Sequence, residues 1–348
     1  MTNEAQTVTK VTKESKNKIR VEFERTDLKE RLKIKYLSLK FLGTVVFVIF
    51  RVVLLLGISY IILYPFITKI AGSFMTPEDF ADVTVRLLSR NPTLDTYKVI
   101  INETGYKDAL FRTLGVSLVS ALVQMFSCCV VAYGLAKYKF KGNKIVFFAV
   151  IFTMVVPHQV LRSIMTLSFT QFDIGILNVG IVKLLGGIPL DLRNTYWPMV
   201  ILSMTSLAFK NGLFIFMLRQ FFKNIPDELE ESAYIDGSGI FRTFFQIILP
   251  LSIPMLITVF LFAFSWQWTD NFYVRIFFPT AKEFKTFPEI YSIQATSFKS
   301  VTQQAGGTLF ESAFKNTVSL LVMAPLIAVY LFCQRYLIQG IERSGITG

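Results

Sequence analysis

Residues 219–254 read RQFFKNIPDELEESAYIDGSGIFRTFFQIILPLSIP, and the order of residue types along them governs the reading of the whole chain. Pro226 and Asp227 suit a helix start. Proline is tolerated in the first turn, and acids face the positive end of the helix dipole, a role Glu228, Glu230 and Glu231 continue. Leu229, Ala233 and Tyr234 recur at helical spacing and form an apolar face. Gly237 and Gly239 then stop the helix or turn it tightly. A second helix follows from Phe241 and becomes apolar enough to enter lipid. Pro250 and Pro254 lie where kinks are tolerated, provided other groups satisfy the freed backbone. The stretch is therefore a short helix, a glycine turn and a re-entry into a membrane. A short amphipathic helix at a membrane face fits a groove in a partner protein.

The flanking sequence supports the membrane. Of 348 residues, 53% are hydrophobic and 17% charged, 35 are Phe, and the mean hydropathy is +0.51. Soluble domains carry about 25% charge. A membrane helix needs about 20 apolar residues to cross a core of about 30 Å, and 52–73, 113–136, 145–168, 196–218, 246–268 and 315–335 qualify, which makes six spans. A helix continuous from 41 would carry Arg51 into lipid at a cost. The expectation is an interfacial helix at about 36–50, with the first span beginning after Arg51.

Basic residues set the orientation. Loop 137–144, KYKFKGNK, is short and basic, hence cytoplasmic. The N-terminal tail, loop 219–245 with Arg219, Lys223 and Arg242, and the C-terminal tail with Arg335 and Arg343 share that side, so both termini are expected inside. The exterior segments are 74–112, 169–195 and 269–314. The net charge of +12 is thus spent on topology, and nucleic acid is not among the expected partners. Residues 1–50 form a basic extension with the interfacial helix, and 51–348 the six-helix domain with loop 219–245. The extension reads as a solvated tail or as an arm on the membrane surface or a partner. It is too charged for a cleaved leader. Cys128, Cys129 and Cys333 all lie in apolar segments, which gives neither a disulfide framework nor a metal site. No GxxxxGK[ST] phosphate loop occurs, so ATP hydrolysis by that route is not expected of this chain.

Glu231-Ser232-Ala233, then Gly237, Ile247, Leu249 and Pro250, resemble the EAA loop of binding-protein-dependent ABC importers, EAA-x3-G-x9-I-x-LP, with Ser232 in place of the second alanine. Asn91-Pro92-Thr93 with Tyr97, Trp266-Gln267-Trp268-Thr269-Asp270 and the tail Gln334-Arg335-Tyr336 with Gly340 and Gly348 are similar to the smaller permease of carbohydrate-class, maltose-type systems. Thr269 stands where that pattern has Asn. The resemblance covers roughly 50–348 and implies an all-α, six-helix ABC importer permease of a bacterial cell membrane. Glu231, Ser232, Ala233, Asp236 and Gly237 would then form a coupling helix on a separate ATPase. It further implies a second homologous permease, two nucleotide-binding subunits holding ATP and Mg, and an extracytoplasmic solute-binding protein. The chain itself would bind no cofactor, catalyse nothing, and pass a sugar or oligosaccharide by alternating access. Exterior segment 269–314 would reach toward the binding protein.

Polar residues inside spans are candidates for the solute path. Lys210 and Asn211 interrupt the fourth span; they line the pathway or a subunit contact, or the lysine snorkels to an interface. Trp268, Asp270 and Asn271 lie at the exterior end of the fifth, where aromatic faces and polar groups suit sugars. Trp266 is expected in an interfacial aromatic belt. His158, the only histidine, has no convergent Cys, Asp or Glu in the sequence to suggest a metal or catalysis, and with Gln159 and Arg162 marks a lumen or a helix end. A non-carbohydrate solute and a secondary transporter are the other readings. The secondary transporter would call for internal repeats and intramembrane acids, and the sequence shows neither clearly.

Overall fold

In the computed structural model the described residues are 39–173, 175–176, 179–180, 187–279 and 307–345. The basic extension 1–38 and most of the segment expected to be exterior, 280–306, lie outside them.

The chain is mainly helical, with a two-residue antiparallel hairpin, Gly175–Ile176 against Val179–Gly180. Helix α1 spans Leu39–Ser73, α2 Pro77–Ala81, α3 Asp95–Glu103, α4 Tyr106–Lys137, α5 Asn143–Val155 and α6 Arg162–Thr170. Then come α7 Trp197–Met204, α8 Asn211–Lys223, α9 Glu228–Ile235, α10 Ile240–Thr243, α11 Leu249–Leu251, α12 Ile253–Trp268, α13 Phe272–Phe277 and α14 Gly307–Gly345. Among the described residues three helices are long and apolar enough to cross a membrane alone, within α1, α4 and α14. The number rises to five if two bent pairs each count as one span.

By contact the chain divides at Thr68/Lys69. In the first unit α1 passes through Arg51 without a break, so the expected separation of an interfacial helix from a span is not made by the backbone. At about 1.5 Å per residue its 35 residues exceed a single crossing, so the arginine has no need to sit at mid-membrane.

In the second unit α4 is the central helix, with α8, α12 and α7 packed on it and α14 behind α12. Its buried stripe, Ser117, Ala121, Gln124, Cys128 and Ala132, is small or polar at i+3/i+4 spacing. Small side chains let helices approach closely where lipid removes the hydrophobic drive. Phe214, Leu218 and Phe222 of α8, Met255, Val259 and Ala263 of α12, and Phe314 and Val318 of α14 complete this core. A second cluster joins Phe169, Met199, Leu202, Tyr273 and Phe277.

Three expected spans are not straight. The third bends by 96° between α5 and the 3-10 turn His158–Leu161, where Pro157 forces Val156 into an extended conformation. The fifth bends by 75° at Ser252, after a π turn at Phe244–Ile248 and beside Pro250 and Pro254. The fourth, expected as one helix over 196–218, is broken at 205–210, which corrects that reading. Ser206 and Lys210 take left-handed φ values of 58° and 71°. The Phe209 amide donates to the Tyr273 hydroxyl at 2.8 Å rather than to a helical carbonyl. No proline announces this break; a tertiary hydrogen bond helps hold it.

Candidate functional site

The loop read first forms the helix expected of it, with Asp227 as N-cap residue and three glutamates in the first turn. It ends in a Schellman motif: the Ser238 amide donates to the Ala233 carbonyl at 2.9 Å and the Gly237 amide to Tyr234 at 3.0 Å. Gly237 takes φ +83°, a conformation open to glycine. A Cβ there would meet no atom within 4 Å, so the constraint within this chain is the backbone and not crowding.

The inner face of α9 is fixed to the end of α4. The Lys137 ammonium donates to Asp227 Oδ1 at 2.6 Å and to the Ile225 carbonyl at 2.7 Å, and pairs with Glu230 Oε1 at 3.3 Å. The Tyr133 hydroxyl donates to Glu230 Oε2 at 3.3 Å. Lys137 keeps 6% of its side-chain surface and Glu230 11%, so this ion pair is nearly out of water. The hydrogen bond from Lys137 holds the Asp227 carboxyl below the usual carboxylate range. The outer face stays open. Glu231, Ser232, Asp236 and Gly237 are exposed, as are Ile235 and Phe241, while Ala233 packs inward. The EAA signature thus divides: the small third residue seats the helix, and the first two face outward.

The solute-path residues separate differently. Lys210 opens α8, and its ammonium lies 4.6 Å from the centre of the Trp266 ring. Both line a cleft of about 370 Å³ with His158, Asp270 and Asn271. His158 stacks on Phe209, ring centres 3.9 Å apart. Asp270 is committed to α13: its carboxylate accepts the amides of Phe272, Tyr273 and Val274 at 3.3, 2.9 and 3.4 Å. Burial nonetheless pushes its carboxyl up to about 6, against the lowering by those amides. Asn271 Oδ1 accepts from Arg275 Nε at 2.9 Å. Trp268 does not line this cleft; it is buried and donates from Nε1 to the Val322 carbonyl of α14 at 2.9 Å. Asn211 is fully buried, and neither polar atom of its side chain has a partner among the described residues. Trp266, expected in an interfacial belt, is half-exposed and lines the cleft.

Sequence reading missed Lys137 and Tyr133 as anchors. Lys137 counted as one basic residue of a cytoplasmic loop, and Glu230 as one of several acids at a helix start. Their pairing spans nearly a hundred residues and leaves no local signal. Among the described residues no group of three or more His, Cys, Asp or Glu is placed to hold a metal ion.

A helical membrane bundle with broken spans and an outward-facing, anchored loop helix defines a multi-pass membrane transport subunit. The sequence places it more closely. Residues 129–343 match the family described as binding-protein-dependent transport system inner membrane component, and the chain belongs to that family. Protein LplC of Bacillus subtilis (strain 168) is 28% identical over 308 residues, covering 87% of this chain and 95% of LplC. The polygalacturonan/rhamnogalacturonan transport system permease protein YtcP of the same organism is 26% identical over 84% of this chain and 96% of its own length. The maltodextrin transport system permease protein MalD of Streptococcus pneumoniae (strain ATCC BAA-255 / R6) is 26% identical over 84% of this chain and 93% of MalD. The fold is shared with a chain of a bacterial ABC transporter involved in import of the acidic polysaccharide alginate, with a TM-score of 0.64 and 19% identity, covering 84% of this chain and 97% of that one. A second structure, an alginate transporter in complex with an alginate pentasaccharide-bound periplasmic protein, gives a TM-score of 0.59 and 15% identity, covering 88% of this chain and 96% of that one.

Proposed function

We propose that this chain is a permease subunit of an ATP-driven importer that passes a sugar or oligosaccharide across a bacterial plasma membrane. The saccharide is favoured by relatives named for maltodextrin and for polygalacturonan/rhamnogalacturonan transport. The mechanical part rests on one observation: α9 is closed by a Schellman turn, anchored through Lys137 to the helix α4, and bare on its outer face.

Glu231, Ser232, Asp236 and Gly237 face the groove of a nucleotide-binding subunit, with Ala233 seating the helix behind them. Closure of two such subunits on ATP and Mg moves α9, and the Lys137 link carries that movement into α4. A second permease completes the pathway, and an extracytoplasmic binding protein delivers the solute. Six crossings follow if α7 and α8 together make one interrupted span, and both termini are then cytoplasmic. Lys210, Trp266, Asp270 and Asn271 lie on the solute side of the bundle, with Asn211 behind them and Trp268 as a buried strut.

Purification of the tagged chain from detergent-solubilised native membranes tests this. Co-purification of an ATPase subunit and a second permease, lost in a Glu231→Lys/Gly237→Asp variant that still inserts, is the expected result. A chain that purifies alone and moves solute in liposomes without ATP overturns it.

A further inference from the structure

The cleft beside Lys210 carries a charge pattern that a pathway for neutral sugars does not require. Among the described residues Lys210 makes no ion pair; its ammonium lies over the face of Trp266, with the His158 ring in the same wall. The one carboxylate in the cleft wall, Asp270, is taken up by three backbone amides at the start of α13. Gln124 and Gln267, 4% and 9% exposed, also line this wall, but their amide nitrogens are turned to Ser203 Oγ at 3.4 Å and Met199 Sδ at 3.8 Å, so Lys210 is the polar group left for a solute there, beside the rings of Phe209, Trp266 and Phe272. Lys210 also holds a left-handed backbone at φ 71°, which is unfavourable for any residue with a Cβ and free of strain for glycine. A strained lysine facing a cleft is an observed outlier of the kind that marks functional sites.

We infer that this cleft is a carboxylate-reading subsite for an acidic saccharide: the Lys210 ammonium, held over the Trp266 indole, pairs with a uronate carboxylate, and the rings of Phe209 and Phe272 wall the sugar. A lone ammonium with an acid nearby balances one negative charge. A phosphate dianion calls for more donors and favours the guanidinium fork. An aromatic wall suits the apolar face of a sugar ring. At about 370 Å³ the cleft lies at the small end of ligand sites, enough for part of a chain and not for a whole oligosaccharide. The inference rests on the saccharide-importer reading above and adds the charge of the solute.

The test uses the complete importer with its binding protein in proteoliposomes. Two radiolabelled probes are compared: a trimer of galacturonic acid, and the same trimer with its carboxyls methyl-esterified. Wild type, Lys210→Gln and Lys210→Arg are matched for membrane level. The expected result is ATP-dependent uptake of the acid trimer that falls on the order of tenfold in Lys210→Gln and is largely kept in Lys210→Arg, a loss in line with removing one charged hydrogen bond. Uptake of the ester stays within about twofold across the three proteins. Wild-type uptake of the ester alone overturns the inference while leaving the importer reading intact. Equal loss of both probes in Lys210→Gln also overturns it, because the lysine then does not act on the solute's carboxylate. ATP-dependent uptake of neither probe, nor of any neutral saccharide, removes the importer reading and this inference together.

Discussion

Replacing Lys137 by methionine should free the loop helix from α4 without unfolding the bundle. Methionine keeps most of the apolar stem and removes the ammonium. Glu230, with 11% of its side chain exposed, is then left with the Tyr133 hydroxyl as its single recorded partner. Breaking a buried pair by removing one member costs about 3–5 kcal/mol, because the other charge stays desolvated. Asp227 keeps 80% of its surface and rehydrates, so it adds little. The lower end, about 3 kcal/mol, is the expected cost of holding α9 in place. That corresponds to about a hundredfold greater opening of residues 228–235.

Hydrogen exchange with mass detection, on the full chain in nanodiscs, reads this directly. Amides of Glu228–Ile235 should lose about two decades of protection, while those of α4 above Tyr133 hold. Adding Glu230→Gln removes the stranded charge, and Lys137→Met/Glu230→Gln should regain most of the loss, a coupling of about 2 kcal/mol. Unchanged protection of α9 in Lys137→Met would refute the anchor. A double variant no better than the single one would show that the stranded carboxylate is not the cause.

Gly237→Ala should weaken the Schellman turn by about 1 kcal/mol through its φ of +83°, visible as faster exchange at the end of α9, with insertion unaffected. Gly237→Asp should also abolish coupled uptake; wild-type uptake in that variant would remove the docking role. Gly212 is crowded where Gly237 is not: a Cβ would stand 2.6 Å from Thr153 Oγ1 and 2.8 Å from the Val150 carbonyl. Gly212→Ala should therefore push α8 off α5 and cost about 1–3 kcal/mol, read as a lower thermal midpoint in detergent. Asp270, with its carboxyl raised to about 6, binds more protons folded than unfolded between about pH 4 and about pH 6. Its contribution is fully present below the unfolded value and is lost as pH rises through about 6, so wild type should gain stability on acidification in that window relative to Asp270→Asn. Parallel pH curves for the two proteins would contradict the burial of that carboxyl.

Much of the fold lay open in the sequence because lipid imposes it. Long apolar runs have few choices in a bilayer, and α1, α4 and α14 fall on the runs at 52–73, 113–136 and 315–335. The bends of the third and fifth spans coincide with Pro157, Pro250 and Pro254. The loop helix α9 was legible because its caps are local: acids at its start and a glycine at its end settle its limits within a few residues. What stayed hidden is long-range. The break before Lys210 depends in part on the Tyr273 hydroxyl, and the anchoring of α9 on Lys137. Neither partner can be read from spacing. The two tryptophans show the same limit, since aromatic type alone does not distinguish Trp266 in a cleft from Trp268 bonded to Val322.

The hidden break also sets the geometry between the two sites. Had residues 196–218 formed one helix, Lys210 would be an interior lysine with no special place. Because the chain turns at 205–210, Lys210 becomes the first corner of α8, and the helix running from it is 13 residues long, about 20 Å. Its far end, Lys223, leads in two residues to Ile225, whose carbonyl Lys137 holds at 2.7 Å. Gly212 near one end lets α8 seat closely on α5, and the buried Phe214, Leu218 and Phe222 fix it against α4. A short rod with one end at the cleft and the other at the anchored loop can move as a unit. Lys210→Gly separates the two effects of that corner, relieving the strained φ while deleting the charge. A gain in thermal stability of about 1 kcal/mol together with impaired uptake would place the lysine's value in its charge. A loss of stability would mean that the side chain, through its contact with Trp266, is what holds the corner.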